Sequence, residues 1–309
     1  VEICNVRIAL LSLAAMVVMA GAAAAQVAAP SLNPSIVLFG APTNPGVLIW
    51  DVPSRIGGTV SKAELDSPIG SKVLDGNAKT LLATWVGQNV AVGALAERLR
   101  LSAVAPFTGA INLDANAVQA AAQFADRFSL GLGHESSHIE DTTAGGGSPE
   151  DLKLPVAGAT LRLGDTVFLG LAGGTEKVAK QGVPEETRGV NRLGAAFYSR
   201  GKAGAVHLEA FREHRAASGT VEPEQTTTGF TAEALWGPVL LAYEGHKNAK
   251  KDSTGASQGE DKVSNIAVGW VPDQGLSIVL ASGTLKSTDA TGATQGEVKQ
   301  TTVGATWLF

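Results

Sequence analysis

Through the last ten candidate strands of this chain, the connections alternate strictly between short and long. Gly164-Asp165, Arg200 to Lys202, Gly237-Pro238 and Pro272 to Gly275 carry the residues that tight turns demand, while 140–152, 178–187, 216–225, 248–261 and 287–296 are longer and polar. Between them, apolar side chains fall at every second position, the period of a strand with one buried and one exposed face. Short connections at one end and long ones at the other are what an up-and-down barrel requires when only one of its ends is free to carry loops. A soluble lipocalin-like barrel would show the alternation within its strands but has no reason for this asymmetry.

The final stretch sharpens the reading. In Val303 to Phe309, Val303, Ala305, Trp307 and Phe309 share one face, with Gly304, Thr306 and Leu308 on the other. An apolar outward face, a mixed inward face and a terminal aromatic resemble the closing strand of a Gram-negative outer-membrane β-barrel, which would zip against the first strand and leave no open edge in lipid. Composition agrees: 44% hydrophobic residues, 17% charged, 37 glycines and a mean hydropathy of +0.13, spread through the chain rather than gathered into a block. A net charge of −5 argues against nucleic acid as a partner.

The fold class expected is therefore all-β: an up-and-down antiparallel transmembrane β-barrel of about 12 strands, with 14 as the alternative. Twelve candidates run from Lys79 to Val86 at the front to Glu297 to Phe309 at the end. One link breaks the alternation. Between Leu101 and Arg127, Asp114 could cap a short Ala-rich helix ending at Ala125, or a pair of strands is hidden there.

Ahead of the barrel, residues 1–25 read as a secretory signal: Arg7, an apolar run from Ile8 to Ala20, and Ala23-Ala24-Ala25 before Gln26. Cys4, the single cysteine, lies inside it. Residues 26–77 form a Pro- and Gly-rich extension or plug, with short apolar pieces at Ile36 to Phe39 and Val47 to Trp50, and the barrel is expected over 78–309. Export without disulfides, and with no later apolar run near the length of a spanning helix, leaves periplasm, secretion or the outer membrane, and the barrel pattern makes the outer membrane of a Gram-negative cell the expected location.

Strand parity assigns the faces. Phe128, Leu130 and Leu132, Val206, Leu208 and Ala210, Phe230 and Tyr243, and Ile266, Val268 and Trp270 read as lipid-facing, with Trp236, Trp270 and Trp307 as an aromatic girdle at the periplasmic end. The opposite faces place Arg162, His207, Glu209, Glu233, Glu244 and His246 in the lumen. There they would either line a water path or pair and fill it.

The most distinctive motif is GHESSHIED, with His134, Ser136 and His138 on one face at the top of a strand. This spacing resembles the His-x-Ser pairs of outer-membrane phospholipase and lipid A deacylase, although Ser137 stands where those enzymes have Asn. The resemblance implies Ser136 as nucleophile, His134 as its base and Asp151 or Glu140 as the orienting acid. The stretch 125–250 is also similar to an uncharacterised family of outer-membrane proteins with a His-x-Ser-Ser-His-Leu-Gly-Asp-Glu pattern. Here Ile139-Glu140-Asp141-Thr142 replace its last four residues. That likeness implies compartment and fold but no activity.

Two function classes follow. The first is a structural or small-solute channel protein, and the alternative is a surface acyl-lipid hydrolase, so enzymatic activity is left open. No cofactor or metal site is expected; calcium would enter only with the hydrolase. The expected partners are outer-membrane lipid, lipopolysaccharide and small solutes.

Overall fold

The structure is a computed structural model and describes residues 44–50, 54–67, 72–105, 108–143, 149–218 and 223–309. Among these, fourteen strands of 12 to 16 residues follow one another: β1 (Arg55–Asp66), β2 (Lys72–Val86), β3 (Val90–Ala103), β4 (Ala110–Phe124), β5 (Phe128–Asp141), β6 (Glu150–Leu163), β7 (Val167–Lys180), β8 (Glu186–Gly201), β9 (Gly204–Arg215), β10 (Glu224–Trp236), β11 (Val239–Lys251), β12 (Ser257–Trp270), β13 (Gly275–Thr288) and β14 (Thr294–Leu308). Each pairs antiparallel with its neighbours in sequence, and β1 pairs with β14, so the sheet closes into a barrel.

The seam forms as the last strand foretells. Leu308 lies opposite Arg55 and Glu297 opposite Asp66, the hydroxyls of Ser61 and Thr302 are 2.7 Å apart, and the amide of Phe309 donates to the Ser54 carbonyl at 3.0 Å. Closure satisfies the backbone of both edge strands, which is the condition for a sheet to stand in lipid.

The two strands beyond the expected twelve are β1 and β4. Asp114 caps no helix: it lies in β4, outward-facing, and accepts hydrogen bonds from Arg98 Nε at 2.8 Å and Arg100 Nη2 at 2.7 Å on β3. Alanine favours a helix only weakly, and the backbone groups presented by β3 and β5 on either side outweigh that preference. With β4 in place, the alternation of short and long connections holds around the whole barrel.

The wall also begins at Arg55 rather than at residue 78, because β1 and the first turns of β2 occupy much of 55–77. In β1 the inward face is Gly57, Thr59, Ser61, Ala63 and Leu65, too polar to show the alternation that marks the later strands. The expected signal at 1–25 and the apolar piece Ile36 to Phe39 lie outside the described residues.

Outward faces are apolar over a continuous belt that includes Ile56, Leu81, Leu132, Leu193, Leu208, Phe230, Leu241, Ile266, Leu280 and Val303. Trp85, Trp236, Trp270 and Trp307 ring its short-turn end. Monomeric proteins in water seldom expose an apolar patch beyond a few hundred Å². A belt that surrounds the molecule, bounded by indoles, is stable only where lipid replaces the water.

Candidate functional site: the lumen and its closure

Residues Pro45–Trp50 form a single 3-10 turn, and that turn lies inside the barrel at its short-turn end, against β3 to β7. Val47 and Leu48 are 0% and 1% exposed. Its polar groups are tied to the wall: Asn44 Nδ2 donates to the Ala159 carbonyl at 3.0 Å and to Thr160 Oγ1 at 3.2 Å, Trp50 Nε1 donates to Ser129 Oγ at 2.9 Å, and that hydroxyl donates to the Gly46 carbonyl at 2.7 Å. The wall makes room with two glycines. A β-carbon on Gly131 would meet the backbone of Pro45 at 2.3 Å, and one on Gly158 would meet Asn44 Oδ1 at 2.0 Å. Val47 to Trp50, one of the two apolar pieces of the expected extension or plug, thus lies within the barrel.

A line of rings continues from the plug across the barrel floor. Trp50 meets Phe168 edge-on at 6.0 Å, Phe168 meets Tyr198 at 6.2 Å, and Tyr198 lies 6.3 Å from His207. Arg162 is held 5.9 Å from the Trp50 and Phe168 ring centres. At the end of the line, His207 Nδ1 is 2.8 Å from Glu233 and its Nε2 is 3.3 Å from Glu209. All six residues assigned to the lumen from sequence face inward. The structure brings His207, Glu209 and Glu233 together, sets His246 Nδ1 3.5 Å from Glu244, and leaves Arg162 apart on the plug.

Halfway up, a chain of ion pairs spans β5 to β9. Arg192 grips Glu135 with both terminal nitrogens, at 2.9 and 3.1 Å, and donates from Nε to Glu213 at 2.6 Å. Arg215 joins Glu213 to Glu176, each at 2.7 Å, and Arg188 closes the chain on Glu176. Three guanidinium groups thus meet three carboxylates. Strand parity alone would have found them, since Glu213 lies four residues beyond Glu209 and Arg192 on the inward face of β8. A balanced, fully paired chain offers little to a passing ion.

Toward the long-loop end, the inward face of β1 to β6, β13 and β14 is mostly apolar, joined by Val178 of β7 and Val263 of β12. Leu65, Leu74, Leu101, Ile111, Ile139 and Leu285 belong to one cluster there. The facing arc, β8 to β12, carries Arg188, Arg215, Gln225, Asn248 and Asp261 instead. Glu97 is set into the apolar side on β3, 7% exposed and without an ion pair or hydrogen bond among the described residues.

The His134 motif is on the opposite surface. His134, Ser136 and His138 share the outward face of β5 with Leu130 and Leu132. Asp151 meets His138 Nδ1 at 2.8 Å, its direct cross-strand partner, whereas His134 stands opposite Pro155 and Ser136 opposite Lys153. The structure therefore joins Asp151 to the second histidine of the motif, and His134 and Ser136 make no hydrogen bond with one another. Glu140 accepts from Asn112 at 3.2 Å. Among the described residues no group of three or more His, Cys, Asp or Glu side chains is placed to hold a metal ion.

An apolar exterior, a closed sheet and a turn of chain lodged in the lumen define the class: an up-and-down β-barrel of outer-membrane architecture. Solved structures of the same fold include a Pseudomonas aeruginosa FadL homologue (11% identity, TM-score 0.55, covering 86% of this chain and 93% of that one). The CymD monoaromatic hydrocarbon channel is similar at 11% identity and TM-score 0.56, covering 86% and 91%, and the P. putida toluene transporter TodX at 10% and 0.53, covering 86% and 93%. At such identities the likeness is one of fold. No family model matches the chain, and no curated protein does either.

Proposed function

We propose that this barrel is an outer-membrane channel that admits small, apolar, uncharged solutes from outside the cell, with the Pro45–Trp50 turn closing its periplasmic exit. The observation that carries the reading is the apolar inward arc of β1 to β7 at the long-loop end. A general diffusion pore for hydrophilic solutes has a polar interior. A wall of Leu, Ile and Val strips water from a solute and repays only apolar surface, by about 25 cal/mol per Å². The paired ion chain halfway up, from β5 to β9, supports the same choice, because its charges are already engaged. Two of the fold neighbours are described as a monoaromatic hydrocarbon channel and a toluene transporter, which supports a solute of that class.

The test is uptake of labelled toluene by cells expressing the protein, against Leu99→Asn/Leu113→Asn, which makes the arc polar without touching the plug. Uptake should fall several-fold in the double variant while heat-modifiable migration is kept. Unchanged uptake, or no difference between expressing and empty cells, sinks the proposal.

A further inference from the structure

Near the upper edge of the apolar belt, three lysines stand side by side on the outer wall. Lys247 on β11 is the direct cross-strand partner of Lys262 on β12, and Lys262 is the direct partner of Lys286 on β13. All three are exposed and outward-facing, so their β-carbons are about 5 Å apart from strand to strand. Like charges directly opposite one another destabilise a sheet. One carboxylate, Glu260, is shared by Lys247 and Lys262, the latter at 2.8 Å. Lys286 makes no ion pair among the described residues: Glu297, opposite it on β14, lies 4.0 Å from Lys299 instead. Two of the three positive charges thus share one carboxylate, while Lys286 faces Glu297 across the strand pair without an ion pair, so the repulsion along the row is only partly compensated.

Its height on the wall says what would relieve that repulsion. Along β12 the outward residues below Lys262 are Ser264, Ile266, Val268 and Trp270, the last in the lower girdle. Eight residues at about 3.4 Å each, on a strand tilted by about 40°, raise Lys262 roughly 20 Å above that girdle. The apolar band of such barrels is about 25 Å tall. Lysine stems would lie along the upper part of the band while their ammonium groups reach the headgroups.

From this placement we infer that Lys247, Lys262 and Lys286 form a docking site for the phosphoryl groups of a phosphorylated glycolipid of the lipid A type in the outer leaflet. Each ammonium donates charge-assisted hydrogen bonds to phosphate oxygens, and the acyl chains lie on Ile266, Val268 and Leu280 beneath. The site is separate from the lumen and does not depend on what the channel carries.

Purified full-length protein in a zwitterionic detergent, titrated with diphosphoryl lipid A, dephosphorylated lipid A and inorganic phosphate, tests this by native mass spectrometry and thermal unfolding. Diphosphoryl lipid A should bind and raise the unfolding temperature. Removing its phosphates, or making Lys247→Gln/Lys262→Gln/Lys286→Gln, should weaken binding about tenfold or more. Without lipid, the triple variant should unfold close to wild type, since the like-charge neighbours and the exposed Glu260 ion pairs are lost together; Lys→Arg at the same positions should restore binding. Equal binding of dephosphorylated lipid A, full binding by the triple glutamine variant, or inorganic phosphate binding as tightly as the lipid would overturn the inference. Should the triple variant fail to fold, the comparison of the two lipids on wild type decides alone.

Discussion

Glu97 and Glu213 are both buried, inward-facing carboxylates, and they differ in their company. Glu213 is clasped by Arg192 at 2.6 Å and Arg215 at 2.7 Å, whereas Glu97 stands between Thr80 and Ala115 across the strands and Leu95 and Leu99 along its own, with no ion pair or hydrogen bond among the described residues. Removing one member of a buried ion pair leaves the others uncompensated, at a cost of about 3–5 kcal/mol. Glu213→Gln is therefore expected to lower stability by roughly that amount in denaturant titrations of vesicle-inserted protein. Glu97→Gln should leave stability unchanged or raise it, because an unpaired buried carboxylate is itself a cost. A variant at Glu97 as damaging as one at Glu213 would show that the Glu97 carboxylate is held by a partner after all. Ala125 gives a second residue to test. It holds a left-handed backbone, φ 62°, in the turn between β4 and β5, and Ala125→Gly should stabilise by about 1 kcal/mol in the same titrations.

The hairpins β11–β12 and β13–β14 close through loops of nearly the same sequence, Asp252-Ser253-Thr254-Gly255-Ala256 and Asp289-Ala290-Thr291-Gly292-Ala293, and they fold alike. In each, one carboxylate oxygen of the aspartate accepts from the threonine hydroxyl at 2.6 Å, the threonine amide at 2.9 Å and the alanine amide at 3.0 Å. The glycines supply the positive φ, 85° and 83°, that returns the chain. These bonds, the threonine hydroxyl first, hold both aspartates below the ordinary carboxylate range. A lowered folded-state pKa means that the stabilisation is complete above the unfolded-state value and is lost as pH falls through the folded one. Hydrogen exchange at the amides of Thr254, Ala256, Thr291 and Ala293 should therefore lose its protection on going from about pH 7 to about pH 2. Protection that persists to the acid end would mean that the carboxylates do not organise the loops.

The same element-level chemistry explains what could be read from sequence. β5 to β14 are legible because their outward faces are Leu, Val, Ile and aromatic against small or polar inward residues, so the period of two is plain. β4 reads as an Ala-rich stretch in which Ala115, Ala117, Ala120, Ala121 and Ala122 lie on both faces, and only its neighbours decide its state. β1 is hidden by Gly57, Gly58, Thr59 and Ser61, which contrast too little in polarity. The inward direction of Arg162, His207, Glu209, Glu233, Glu244 and His246 follows strand parity. What joins Asp151 to His138 rather than to His134 is cross-strand register, which depends on the loop at 142–149 and is absent from either strand alone.

For the molecule as a whole, the parts make one device. Closure of β1 on β14 allows the sheet to stand in lipid, and the belt and its indoles fix its height; on the proposed function the apolar arc would select what enters from the long-loop end and Pro45–Trp50 would obstruct the other. The plug depends on close approach, so Gly131→Val should expel it from the wall of β5 and open an ion-conducting path, read as steady current in planar bilayers where wild type shows little. Selection is tested most directly by following toluene and potassium together in asymmetric vesicles with lipopolysaccharide outermost and the wild-type protein inserted. Toluene should cross faster than in protein-free vesicles while potassium is retained. Potassium leak at wild-type density with no acceleration of toluene would contradict an apolar, plugged channel.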